Sequence, residues 1–186
     1  GYRHISCRPD LLPRYRKGLS EAVFAEIDKA ESFEDWPYPL MYRELAARYP
    51  DARFILTVRR STETWLASMK KHSLLTSVRG HCRELAYGRA YPFGNEDHYR
   101  GFYEDHNRQV RKFFARPGAP PLLELCWERG DGWPELCAFL GHEVPKIAIP
   151  VGPAPVAHAA LSARGSRVTT PQARCDNRRK RRRARA

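Results

Sequence analysis

The sequence predicts an α/β fold in which a partial parallel sheet is flanked by helices. Two apolar runs, FILTV at Phe54–Val58 and PLLELCW at 121–127, read as buried strands with little polar alternation. Each leads through a polar turn into a segment whose apolar residues recur at three- and four-residue steps, the strand-to-helix alternation that covers both faces of a parallel sheet. Two strands are fewer than an ordinary sheet holds. More of the sheet is therefore expected beyond the segments that read clearly.

Taken in order, Ser20 is expected to cap a helix running to about Ala30, because Val23, Phe24 and Ile27 fall on one face. The prolines of SFEDWPYP break that pattern and predict a kinked connector. Leu40, Met41 and Leu45 predict a second helix ending near Tyr49 and Pro50, after which the first strand begins. Past Arg59 and Arg60, a hydroxyl at Ser61 or Thr62 caps a helix that turns Trp65, Leu66 and Met69 inward and places Lys70 and Lys71 toward its negative end. Residues 74–96 read as a helix and then a loop. Over 97–115, Phe102, Tyr103, His106, Val110, Phe113 and Phe114 define one apolar face, so His106 reads as a core or interface histidine. GDGWPELCAFLG reads as a turn into a helix, with Pro134 near its start and Gly141 at its C-cap.

Charge and composition divide the chain. Of the formal net charge of +12, residues 164–186 hold ten Lys/Arg against one Asp, leaving 23 bases and 20 acids in the rest. Residues 1–150 are expected to form the α/β domain. Residues 151–186, rich in Ala, Pro and Arg without periodicity and ending in NRRKRRRARA, are expected to be a disordered basic tail. Five scattered cysteines, with no C-x-x-C pair and no spacing shared with histidine, read as reduced thiols and point to no metal site. No apolar run approaches a membrane span and no signal-peptide core is evident, which makes a cytoplasmic location the expectation.

The chemistry-bearing stretch is FILTVRRSTETWLASM. A strand that ends in two guanidinium groups and passes to a hydroxyl-capped helix brings a charged fork, hydroxyls and backbone N–H donors into one small volume, at the end of the strand where ligands of α/β sheets bind. The residues alone also fit an ordinary surface turn with a capped helix.

Together with YEDHNRQVRKFF and LLELCWERGDGWPELCAFLGHEVP, the block from DWPYP to WLASM resembles the sulfotransferase family of the bacterial type, over about residues 1–150. The resemblance implies a P-loop-kinase-like sheet. It also implies transfer of a sulfuryl group from 3'-phosphoadenosine 5'-phosphosulfate (PAPS) to a hydroxyl or amine acceptor, without a metal. Carried onto this sequence, the family's 3'-phosphate site falls on an Arg closing the strand and a Ser about eight residues on. That selects Ser68 with Arg59, or with Arg60 in the neighbouring register. Asp35 of Asp35-Trp36-Pro37 stands where cytosolic sulfotransferases carry their base, and its carboxylate would accept the acceptor's proton. Asp35 also fits an ordinary hydrogen bond within its own turn.

The family's first strand and Gly-rich loop would precede GYRHIS, and the chain opens at Gly1. The expectation is a truncated sulfotransferase-like domain that binds PAPS weakly and turns over little. Two rivals remain open at this level. One is a nucleic-acid-binding or nuclear protein acting through the Arg-rich tail. The other is a pseudoenzyme that holds nucleotide without transfer.

Overall fold

Parallel strand pairing is present, as the apolar runs predict, but it is split between two small sheets. The computed structural model describes residues 2–76 and 82–149; the expected tail at 151–186 lies outside the described residues. The chain opens with β1 (His4–Ile5), α1 (Leu11–Arg16), α2 (Ser20–Ile27) and β2 (Ser32–Phe33). A 3-10 turn at Tyr38–Met41 leads into α3 (Tyr42–Arg48) and then β3 (Phe54–Thr57). The remainder is α4 (Thr62–Leu75), α5 (Arg83–Tyr87), α6 (Glu96–Phe114), β4 (Leu122–Leu125), a 3-10 turn at Trp127–Arg129 and α7 (Trp133–Leu140).

The sheet that matters for the site is β3 beside β4, parallel and in register from Phe54 opposite Leu122 to Thr57 opposite Leu125. The ladder runs one residue past β3, where the Val58 N–H donates to the Leu125 carbonyl at 2.8 Å. Both strands therefore end side by side, and the turns that follow them meet. The second sheet pairs β1 with β2 in parallel, His4 opposite Ser32. Two residues per strand are too short to show a periodic pattern, which is why neither was legible in the sequence.

Helix boundaries follow local chemistry. Ser20 is the first residue of α2 and not its cap; Leu19 holds that position without a side-chain bond, and the helix stops at Ile27. The expected helix from Leu40 to Tyr49 is divided, because Pro37 and Pro39 hold the entry in 3-10 form and α3 starts only at Tyr42. By contrast α4 starts where a cap was expected, with the Thr64 N–H donating to the Ser61 Oγ at 3.1 Å. At the far end of the chain, the left-handed Gly141 (φ 75°) closes α7, a conformation that a Cβ disfavours.

Three clusters make up the core. Leu11, Val23, Phe24, Ile27, Tyr38 and Met41 join α1, α2 and the 3-10 turn. Leu12, Leu66, Cys82, Ala86, Tyr87 and Tyr99 join α1, α4, α5 and α6. Tyr42, Leu56, Val58, Val110 and Cys126 fix α3 and α6 against the β3–β4 pair. Leu11 and Leu12 are fully buried, each contributing about 1.5–3 kcal/mol in transfer free energy. Adjacent leucines at the start of α1 thus feed two different clusters. His106 lies edge-on to Tyr42 and stacks with Phe102, and burial holds its imidazole below the usual histidine range, consistent with the interface reading.

Candidate functional site

The junction of β3 and α4 forms the site. Three contacts hold it, two of them through its backbone. The Arg59 N–H donates to the Tyr103 hydroxyl at 2.9 Å, and Tyr103 itself stacks on Trp65, with ring centroids 4.4 Å apart. The Thr62 hydroxyl donates to the Glu104 carboxylate at 2.8 Å. The Arg60 N–H donates to Glu128 Oε2 at 2.7 Å, across from the turn that follows β4. The strand end is thereby clamped from α6 on one side and from the β4 exit on the other.

The two arginines of the junction reach the same residue through different atoms. Arg59 projects its Nε to within 2.5 Å of Glu128 Oε1. Arg60 donates from its guanidinium to the Glu128 backbone carbonyl at 2.8 Å. Glu128 thus receives both residues, and the Arg60 N–H, with the Arg59 guanidinium beside it, holds the Glu128 carboxyl below the ordinary glutamate range.

Two depressions open at this junction. A recess of about 250 Å³ is lined by Arg59, Arg60, Ser61, Thr62 and Tyr103, with Arg111 and Arg129 among the residues closing it. A wider groove of about 640 Å³ runs along one face of α4, lined by Arg59, Glu63, Thr64, Ala67, Ser68 and Lys71. Its one carboxylate, Glu63, is bound by Arg100 at 2.7 and 3.2 Å, and that guanidinium holds it below the ordinary range. The groove therefore presents Lys71, the Arg59 guanidinium that Glu128 occupies at its Nε, and the hydroxyls of Thr64 and Ser68, a donor set that suits a phosphate or sulfate oxygen cluster.

Of the residues singled out in the sequence, Arg59 and Ser68 share the groove, whereas Arg60 lines only the smaller recess. Asp35 lines neither. It sits at a left-handed backbone position (φ 62°), exposed, and its Oδ1 accepts the Trp36 N–H at 2.8 Å, followed by a cis Trp36-Pro37 peptide. Of the aromatics near the prolines, Tyr38 is buried, Trp36 packs edge-on against Tyr87, and Tyr91 and Phe93 are exposed beneath the Arg83 and Lys70 cations. GDGW is a turn: the Asp131 carboxylate accepts the Cys126 N–H and Glu135 reaches back to the Gly132 N–H.

A model of the sulfotransferase domain matches residues 9–84 and 74–154, which together take in more than half of the chain. The chain belongs to the sulfotransferase family. A curated relative, Ava biosynthesis cluster protein M of Aspergillus versicolor, is 28% identical over 144 residues, covering 64% of this chain and 53% of its own length. The chain thus spans about half the length of that relative. The strand, turn and helix that carry Arg59 and Ser68 lie inside the matched segment of the sulfotransferase domain.

Several groups at the site had no signal in the sequence. Tyr103 reads there only as one more aromatic on an amphipathic helix, and Glu128 as a charge in a turn. Lys71 could have been found, because it follows Ser68 by three residues and so shares its helix face. Among the described residues no cluster of three or more His, Cys, Asp or Glu could hold a metal ion, and no helix is long and apolar enough to cross a membrane.

Proposed function

We propose that this sulfotransferase-family domain takes PAPS as donor, holds its 3'-phosphate between Arg59 and Ser68, and serves transfer to a hydroxyl or amine acceptor. The observation that carries the reading is the placement of Arg59 and Ser68 on one groove at the carboxyl end of β3. The groove's cationic and hydroxyl lining, with its one carboxylate already paired, supports it. PAPS, when bound, supplies an activated sulfuryl group whose leaving group is a nucleotide phosphate.

The chain's own residues have separate tasks in this reading. The Arg59 guanidinium and the Ser68 hydroxyl donate to the 3'-phosphate and fix the nucleotide's register along α4. Tyr103 holds the Arg59 backbone, and Glu128 holds its Nε, so the remaining guanidinium N–H groups are directed rather than free to sweep solvent. Asp35 takes the proton from the acceptor hydroxyl or amine. Its Oδ1 is anchored by the Trp36 N–H, an orienting contact and not a competing one, since a carboxylate has further lone pairs to accept with. The P-loop-kinase-like sheet, drawn from the family resemblance, belongs to this same proposal, as do a cytoplasmic setting and the division of the chain near residue 150.

Calorimetric titration with adenosine 3',5'-bisphosphate, beside 5'-AMP, tests the donor site. Arg59→Ala is expected to weaken the bisphosphate by roughly ten- to a hundredfold, the scale of one hydrogen bond to a charged group, and Ser68→Ala by less. Both variants should leave 5'-AMP nearly unchanged. A larger loss in Arg60→Ala than in Arg59→Ala would move the site to the smaller recess; equal affinity for the two nucleotides would remove the 3'-phosphate reading.

A further inference from the structure

Outside the groove, two cysteines far apart in sequence meet. Cys7, just past β1, places its Sγ 3.5 Å from the Sγ of Cys82, at the head of α5, across 75 positions of chain. Cys82 is 2% exposed within the cluster of Leu12, Leu66, Ala86, Tyr87 and Tyr99, and half-buried Cys7 packs against that cluster. Both are free thiols, as are Cys126 and Cys137 elsewhere in the core. Forming an S–S bond of ~2.05 Å asks the two sulfurs to approach by about 1.5 Å, a shift within reach of side-chain rotation.

We propose that Cys7 and Cys82 are a reversible dithiol–disulfide site, closed by a peroxide or another two-electron oxidant. The half-buried Cys7 is the sulfur that such an oxidant reaches first. Its thiolate attacks one peroxide oxygen, forming a sulfenic acid and releasing hydroxide. The Cys82 sulfur then attacks the Cys7 sulfur and expels the sulfenic oxygen as water. Two thiols lose two electrons and two protons, and one hydrogen peroxide becomes two waters. Thiol reductants reverse the bond by exchange. Burial, with the Asp35 carboxylate second, pushes the Cys7 thiol up to about 12, and burial raises Cys82 as well. The pair is therefore slow to react, and its selectivity comes from proximity and not from an activated sulfur.

The placement gives the bond a structural consequence. Arg8, next to Cys7, donates its N–H to the Trp36 carbonyl at 2.8 Å, so the Cys7 segment is fastened to the turn that carries Asp35. On the other side, α5 supplies Tyr87, against which Trp36 packs. A Cys7–Cys82 bond ties the Cys7 segment to α5 covalently, and the Asp35 turn to it through the Arg8–Trp36 hydrogen bond, and it closes a long loop, which stabilises the folded chain by restricting the unfolded one.

The test uses the full chain, exposed to excess hydrogen peroxide, then denatured, alkylated and mapped by mass spectrometry. The expected product is monomeric, two hydrogens lighter, contains a Cys7–Cys82 linked peptide, melts several degrees higher than the reduced protein and returns to it with dithiothreitol. In Cys7→Ser, Cys82 should remain fully alkylatable after the same exposure. The proposal fails if Cys7 accumulates as sulfinic or sulfonic acid while Cys82 stays a thiol. It fails equally if Cys7 is found linked to Cys126, Cys137, Cys175 or a second chain.

Discussion

At the residue scale, Asp35 carries the sharpest question, because its role in its own turn and its proposed role as base need different properties of the same side chain. Asp tolerates the left-handed backbone better than most residues, and its Oδ1 takes the Trp36 N–H. Asn shares both properties but cannot accept a proton. Asp35→Asn is therefore expected to unfold within about 0.5 kcal/mol of the parent, while sulfuryl transfer from labelled PAPS falls by roughly 10²- to 10⁴-fold, the usual contribution of a positioned base. Unchanged transfer in Asp35→Asn would leave the residue as a turn former. The choice between Arg59 and Arg60 belongs to the same scale. In sequence they are adjacent guanidinium groups nine and eight positions before Ser68. Only the fold separates them, since the end of β3 turns one toward the α4 groove and the other toward the Glu128 carbonyl.

At the element scale, what the sequence could disclose depended on length. The helices α4 and α6, with 14 and 19 residues, have enough turns to show an apolar face; α4 starts where expected but runs on past Lys70 and Lys71 to Leu75, and both ends of α6 lie within one residue of the expected positions. Strands β1 and β2 are two residues each and invisible by pattern. The helix expected from Leu40 starts two residues late, because Leu40 and Met41 belong to the 3-10 turn that Pro37 and Pro39 enter. The cap of α4 is the element-level feature most open to direct test. Ser61→Ala removes the acceptor of the Thr64 N–H and should cost about 1 kcal/mol in urea unfolding, whereas Ser61→Gly should cost only a few tenths. Similar losses from both substitutions would mean that the hydroxyl contributes through something other than capping.

For the molecule as a whole, carboxylates paired to cations or N–H groups knit the helices to the site. Glu63 is held by Arg100, Glu96 by Lys70, Glu124 by Arg111 and Glu128 by the Arg60 N–H, and each partner keeps its carboxyl below the ordinary glutamate range. A folded-state pKa lower than the unfolded one adds stability that is present above the unfolded value and is lost as pH falls through the folded value. Thermal midpoints should hold steady near neutrality and fall on acidification toward about pH 3, and Glu124→Gln should flatten that fall by removing one contributor. A Glu124→Gln profile parallel to the parent's would show that the contact of Arg111 with Glu124, at 2.6 and 2.9 Å, adds no net stability.

The position of Glu128 also bears on how strongly salt affects the site. With a carboxylate seated 2.5 Å from the Arg59 Nε, an anion that enters the groove does not meet a bare cation. It joins Glu128 on a guanidinium whose charge is already partly met, while the Arg60 N–H keeps the carboxylate in place. Binding beside a carboxylate draws less on long-range attraction than capture by a lone guanidinium, so ionic strength should bear more lightly on affinity than a basic groove would suggest. The residue that quiets the charge of Arg59 also makes the groove discriminate by fit, since an anion that stays must match the guanidinium N–H groups that the carboxylate leaves open.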